Sequence, residues 1–125
     1  MVEATLNRIP NSVKKVTLLG TRSTVESGVY QKGFDHVHLD YVFNPAWQTN
    51  VDGMLLNIKA SSDQRIAINL WRELCKELQM AGVDVIVLAC TDLNVVINPI
   101  HSSLPIIDSS RALAEAIVYQ WKNIH

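Results

Sequence analysis

Residues 83–90, VDVIVLAC, constrain the fold of this chain more than any other segment. The run is short, rich in Val, Ile and Leu, and flanked by turn or cap residues, with Gly82 before it and Thr91 and Asp92 after it. This pattern predicts a strand buried on both faces, as occurs when helices cover both sides of a parallel sheet. Residues 16–20 (VTLLG) and 104–107 (LPII) have the same character. Residues 36–43 (HVHLDYVF) alternate in polarity and predict a strand nearer an edge, with His36 and His38 on one face.

Helical patterns separate these strands. Ser23 and Glu26 have the spacing of a capping box, which predicts a helix to about Lys32 closed by Gly33. Around residues 49–58, Val51, Met54, Leu55 and Ile58 share one side. Ser61 and Gln64 repeat the capping spacing ahead of residues 65–80, where Ile66, Leu70, Leu74, Leu78 and Ala81 recur at helical intervals and Gly82 can end the helix. Residues 110–123 place Leu113, Ala114, Ile117, Val118 and Trp121 in a last amphipathic repeat. Residues 1–11 form a short helical extension stopped by Pro10. With that extension, the 125 residues read as a single α/β domain: one open, mostly parallel four-stranded sheet with helices on both faces.

Charge and composition exclude several partners. Eleven basic and 12 acidic side chains, spread along the chain, provide no electrostatic footprint for nucleic acid or an anionic membrane. No apolar run approaches a membrane span, and the polar start resembles no signal peptide, so the expected location is the cytoplasm. There, Cys75 and Cys90 are expected to be thiols. A metal site is not expected, because His36 and His38 lack a third ligand at recognisable spacing, while His101 falls in a loop and His125 at the end of the chain.

In open parallel sheets, ligands bind beyond the carboxyl ends of the strands. That edge receives GTRST (residues 20–24), ACTD (residues 89–92) and DSS (residues 108–110). Thr21, Arg22, Ser23 and Thr24 can form an anion site with the start of the following helix; alternatively, Ser23 merely caps that helix and Arg22 is solvated. A phosphate-cradling loop is not expected, since Gly-Lys-Ser/Thr is missing. Cys75 lies within the long helix and reads as a small core group. Cys90 closes a buried strand at the ligand edge. It fits either core packing or a reactive thiol near a helix N-terminus, able to serve as nucleophile, general base or general acid.

VTLLGTRSTVESGVYQ (residues 16–31), GVDVIVLACTDLNVVI (residues 82–97) and LPIIDSSRALAEAIV (residues 104–118) together resemble the second half of the cofactor-independent aspartate/glutamate racemases. VEAT, residues 2–5, is similar to the segment preceding that half. The resemblance implies a flavodoxin-like half of a two-domain enzyme that needs no cofactor and acts on a small dicarboxylic amino acid. It implies that Cys90 is the second-domain acid/base, that Thr91 contacts the substrate, and that Asp92, where the family more often has glutamate, sets the thiol's protonation. Thr21 would bind carboxylate oxygen and Lys59 the substrate's other carboxylate.

The family's first domain, with its own strand ending in Cys-Asn-Thr, has no counterpart here. The partner implied is therefore a first racemase domain or a second copy of this chain. The alternative function is a non-catalytic module binding amino acids or anions, or a structural fragment that needs its partner.

Overall fold

The computed structural model describes residues 2–97 and 102–124. Its sheet contains β1 (Lys15–Leu19), β2 (Asp40–Tyr41), β3 (Val85–Leu88) and β4 (Ile106–Asp108) in the order β2-β1-β3-β4, with every neighbouring pair parallel. The expected four-stranded α/β sheet is therefore present. β3 pairs with β1 through Val16–Val85 to Leu19–Leu88 and with β4 through Ile86–Ile106 to Leu88–Asp108. All four of its residues are buried, Ile86 and Leu88 on one face and Val85 and Val87 on the other. Two cores result, and each fully buried Leu or Ile contributes about 1.5–3 kcal/mol of transfer free energy.

The first core holds Leu19, Ile86 and Leu88 against α4 (Pro45–Ala60) and α5 (Arg65–Met80). The second holds Val16, Leu18, Val85 and Val87 beneath α2 (Arg22–Glu26) and α3 (Val29–His36). Helix α1 (Val2–Leu6) packs on α3 and on α6 (Ser109–Ile124). Its contact with α3 is close: a Cβ on Gly33 would lie 2.8 Å from Val2 Cγ1 and 3.1 Å from Leu6 Cδ1. The N-terminal segment thus has a packing partner within this chain. Ser109, fully buried, accepts or donates hydrogen bonds with Thr5 of α1 and Tyr30 of α3, so one hydroxyl joins three helices.

Several expectations are corrected. The strand expected over residues 36–43 shrinks to Asp40–Tyr41, because His36 is the last residue of α3 and His38 takes a left-handed φ of 61°. The two histidines therefore do not share a strand face. His101 and His125 lie outside the described residues. The single helix expected from Ser23 to Lys32 is broken at Gly28, whose φ of 74° favours glycine. Gly33 sits inside α3 rather than ending it, and its missing side chain admits α1.

Neither capping box forms. Thr21, not Ser23, caps α2 by accepting the Thr24 N–H. At α5, Asp63 accepts the Arg65 N–H and pairs with its guanidinium, which holds the Asp63 carboxyl below its usual range. Helix α4 starts four residues before residues 49–58 predict, at Pro45 behind the Asn44 cap.

Helix α5 runs where expected and ends at Gly82, whose φ is 78°, but it is rotated. Ala67, Trp71, Leu74 and Leu78 face inward, while Ile66 is 63% exposed. In α6 the expected apolar stripe is largely uncovered: Ala112 is buried, whereas Ile117 and Trp121 are 57% and 63% exposed. No described helix is long and apolar enough to cross a membrane.

Asp84 interrupts an otherwise apolar run for a local reason. Its carboxylate accepts the backbone N–H groups of Lys15 at 2.9 Å and Lys14 at 3.1 Å, fastening the entry of β3 to that of β1. Those bonds, with help from the two lysine charges, hold its pKa below 3.8. A lowered pKa makes the stabilisation complete at neutral pH and removes it as pH falls through the folded-state value. Asp84→Asn should therefore lower the melting temperature most at neutral pH. The difference from wild type should shrink between about pH 5 and pH 3; a constant difference across that range would count against this role.

Candidate active site

The carboxyl edge of the sheet collects the polar residues that the buried strands exclude. Gly20 follows β1 and Ala89 follows β3, and these two approach closely: a Cβ on Gly20 would stand 3.3 Å from Ala89 Cβ. Ala89 N–H donates to Leu19 O at 2.8 Å, continuing the β1–β3 register past the last paired residues. Thr21 and Cys90, the next residues along, both emerge at this edge of the sheet.

Cys90 is half-buried, extended (φ −139°, ψ 120°), and packed against the first core. It precedes a 3-10 turn, Thr91–Val95, rather than a full helix. The turn is anchored by Leu93, fully buried, and followed by Val96 and Ile97, which enter the same core. Thr91 and Asp92 are exposed as its first two residues. The thiol thus stands between apolar packing on one side and an open polar rim on the other.

Across the edge, Thr21 Oγ1 lies 2.9 Å from Thr24 Oγ1 and accepts the Thr24 N–H, so both hydroxyls are tied into the start of α2. Arg22 is exposed, but its guanidinium is engaged: Nε and one terminal N–H donate to Asp52 Oδ2 at 3.1 and 2.6 Å, and Glu26 lies 3.8 Å away. Lys59 is exposed in the last turn of α4. About 16 Å of helix separates it from Gln48, the residue of α4 that touches the strand ends. The structure therefore brings Thr21, Thr24 and Cys90 to one edge, with Thr91 and Asp92 at its rim. Arg22 is held on its flank, and Lys59 is set well along α4.

Three residues of the edge, Gln48, Asp52 and Asn94, escaped sequence reasoning. Gln48, only 5% exposed, donates to Gly20 O at 3.1 Å and to Asp52 Oδ1 at 3.0 Å, linking α4 to β1 and to the Arg22 pair. Asn94 donates to Asp108 Oδ2 at 2.7 Å, and Asp108 Oδ1 accepts the Arg111 N–H of α6. A buried Gln in a helix otherwise facing the core is a usable signal for Gln48; the others are short polar residues with no distinctive spacing. Among the described residues, no His, Cys, Asp and Glu cluster is arranged to hold a metal ion. A cleft of about 270 Å³ reaches the edge beside Asp108, Arg111 and Arg8, but Cys90 is not part of its lining. Cys75 is elsewhere, on α5, 3.3 Å from Ser103 Oγ.

Residues 1–117 match the family described as Asp/Glu/Hydantoin racemase. The chain is 38% identical over 123 residues to the broad specificity amino-acid racemase RacX of Bacillus subtilis (strain 168), a match covering 94% of this chain and 52% of that protein. Among solved structures it resembles the Picrophilus torridus aspartate racemase, with a TM-score of 0.78 and 28% identity over 95% of this chain and 49% of that one. An aspartate racemase homologue from Pyrococcus horikoshii OT3 shares the fold, with a TM-score of 0.81 at 22% identity over 95% and 54% of the two chains. The chain spans about half the length of the relatives it matches.

The link between α4 and the strand end can be tested directly. Gln48→Ala leaves the buried Gly20 carbonyl without its donor and should destabilise the chain by about 1–3 kcal/mol in urea unfolding. Lys59→Ala, at an exposed position, should change stability by no more than about 0.5 kcal/mol. Equal effects of the two would show that Gln48 does not anchor the edge.

Proposed function

The chain belongs to the Asp/Glu/hydantoin racemase family, and on that premise we propose that it supplies one catalytic thiol of an amino-acid racemase of the aspartate/glutamate type. The observation that carries this reading is Cys90, a half-buried thiol two residues past β3 at the same edge where Thr21 caps α2. Its thiolate takes the substrate's α-proton, and the electrons of the broken Cα–H bond stay on the α-carbon. A thiol on the opposite face then donates its proton to that carbon, inverting the centre. The reverse direction exchanges the two roles. No cofactor is required in this scheme.

The remaining residues have assigned parts. Thr21 and Thr24 present hydroxyls to a substrate carboxylate, where donors that strengthen as charge develops lower the barrier. Thr91 meets the amino or carboxylate group, and Asp92 sets the protonation of the thiol. Lys59, about 16 Å along α4 from Gln48, lies beyond the reach of a small amino acid held at Thr21. Arg22, with its guanidinium held by Asp52, orients the Thr21–Thr24 turn. A reducing cytoplasmic setting keeps Cys90 and Cys75 as thiols.

The second thiol must come from outside this domain. Cys75 and Cys90 are the chain's two cysteines, and Cys75 lies on α5 beside Ser103. The partner is a first racemase domain or, in an isologous pairing, a second copy presenting its own Cys90. The open surface around a single edge thiol also favours a second reading, a module that binds the amino acid without turning it over.

Incorporation of solvent deuterium at the α-carbon of L- and D-aspartate and glutamate separates the two readings. Wild-type protein should exchange, and Cys90→Ser should slow exchange by about 10²- to 10⁴-fold. Ligand-dependent thermal stabilisation without exchange would favour the binding module. Exchange that survives in Cys90→Ser would eliminate the thiol mechanism.

A further inference from the structure

The turn that follows Cys90 is a single short 3-10 segment, Thr91–Val95, joined to its flanks by a few bonds. Leu93 N–H donates to Cys90 O at 3.3 Å, Val96 N–H to Leu93 O at 3.0 Å and Ile97 N–H to the same oxygen at 2.7 Å, while the Cys90 side chain makes no capping bond. A 3-10 turn of this kind is intrinsically weaker than an α-helix. Burial of Leu93 fixes its inner side. Its outer side is tied by the bond from Asn94 Nδ2 to Asp108 Oδ2 at 2.7 Å.

Asp108 is well placed to act as the fixed end of that tie. It is the last residue of β4 and pairs with Leu88 of β3, two residues before Cys90. Its other carboxylate oxygen accepts the Arg111 N–H, so the side chain is held at the entry of α6. The next residue, Ser109, is fully buried and bonded to α1 and α3. One end of the Asn94–Asp108 bond is therefore set by the sheet and three helices; the other moves with the Cys90 turn. We propose that Asp108 is a positioning residue for Cys90, acting through Asn94 to hold the turn that sets the thiol's depth at the edge. This deepens the proposed function and rests on Cys90 being its working thiol.

The test reads the unliganded thiol. In a Cys75→Ala background, alkylation of Cys90 by iodoacetamide is timed for the parent, N94A, D108A and the N94A/D108A pair, each at a temperature where circular dichroism shows it folded. Freed from the tie, the half-buried thiol should react about fivefold faster in N94A and in D108A, and no faster in the double variant, because each change alone breaks the same link. A purely structural contribution would lower the melting temperature and leave alkylation of the folded protein unchanged. An unchanged rate in N94A, or additive accelerations, overturns the proposal. If D108A, which also removes the α6 acceptor, does not fold, N94A decides alone. Failure of the deuterium-exchange experiment would remove the racemase mechanism without altering this result, so the two can fail separately.

Discussion

The structure depends on β3 being hydrogen-bonded on both sides and covered on both faces. Every backbone donor and acceptor in its middle is used by β1 or β4, and every side chain from Val85 to Leu88 meets one of the two cores. A strand in that position cannot hold an unpaired polar group without a cost of about 1–3 kcal/mol. Polar chemistry is therefore pushed to its ends. At the entry, Asp84 binds two backbone N–H groups of the neighbouring chain segment. At the exit, Cys90, Thr91 and Asp92 emerge together. The same constraint acts on β1, which enters the edge through Gly20, where an added Cβ would stand a tight 3.3 Å from Ala89 Cβ.

What could be read from the sequence follows how far each element is governed by its own residues. β3 and α5 were legible because one is a short apolar run and the other a long periodic segment ended by Gly82. β2 was not: HVHLDYVF alternates like a strand, yet the end of α3 and the left-handed His38 take most of it. The place of Gly33 inside α3 depends on where α1 packs, which no local pattern reveals. The rotation of α5 is of the same kind. Ile66 belongs to the periodic set, but α4 lies across the other side, where Asn57 Oδ1 accepts the Ala67 N–H.

At the candidate site, residues contributed by strand ends were visible and those contributed by helix packing were not. Cys90 and Thr21 stand where apolar runs stop, so their position at the edge follows from the strand assignment. Gln48, Asp52 and Asn94 act through bonds between elements distant in sequence: Gln48 to Gly20, Arg22 to Asp52, Asn94 to Asp108. Arg22 shows how this changes a residue's meaning. From sequence it is a free cation ready for an anion; in the fold its charge is met by Asp52, with Glu26 close by.

A thiol at this edge can reach a substrate from only one side, and inversion of a tetrahedral carbon by proton transfer requires groups on opposite sides. Strand geometry supplies one such group per domain, because Cys90 is placed by the end of a single central strand. Under the proposed mechanism, the simplest way to provide the second is another sheet edge facing this one, whether from a different domain or from a second copy. The half-length match to its relatives is compatible with that arrangement. It also gives a physical meaning to the openness of the site: Thr91 and Asp92 stand exposed around a thiol whose other side is firmly packed. The domain fixes the depth and surroundings of one thiol, and the proposed mechanism leaves the opposite wall of the site to whatever faces it.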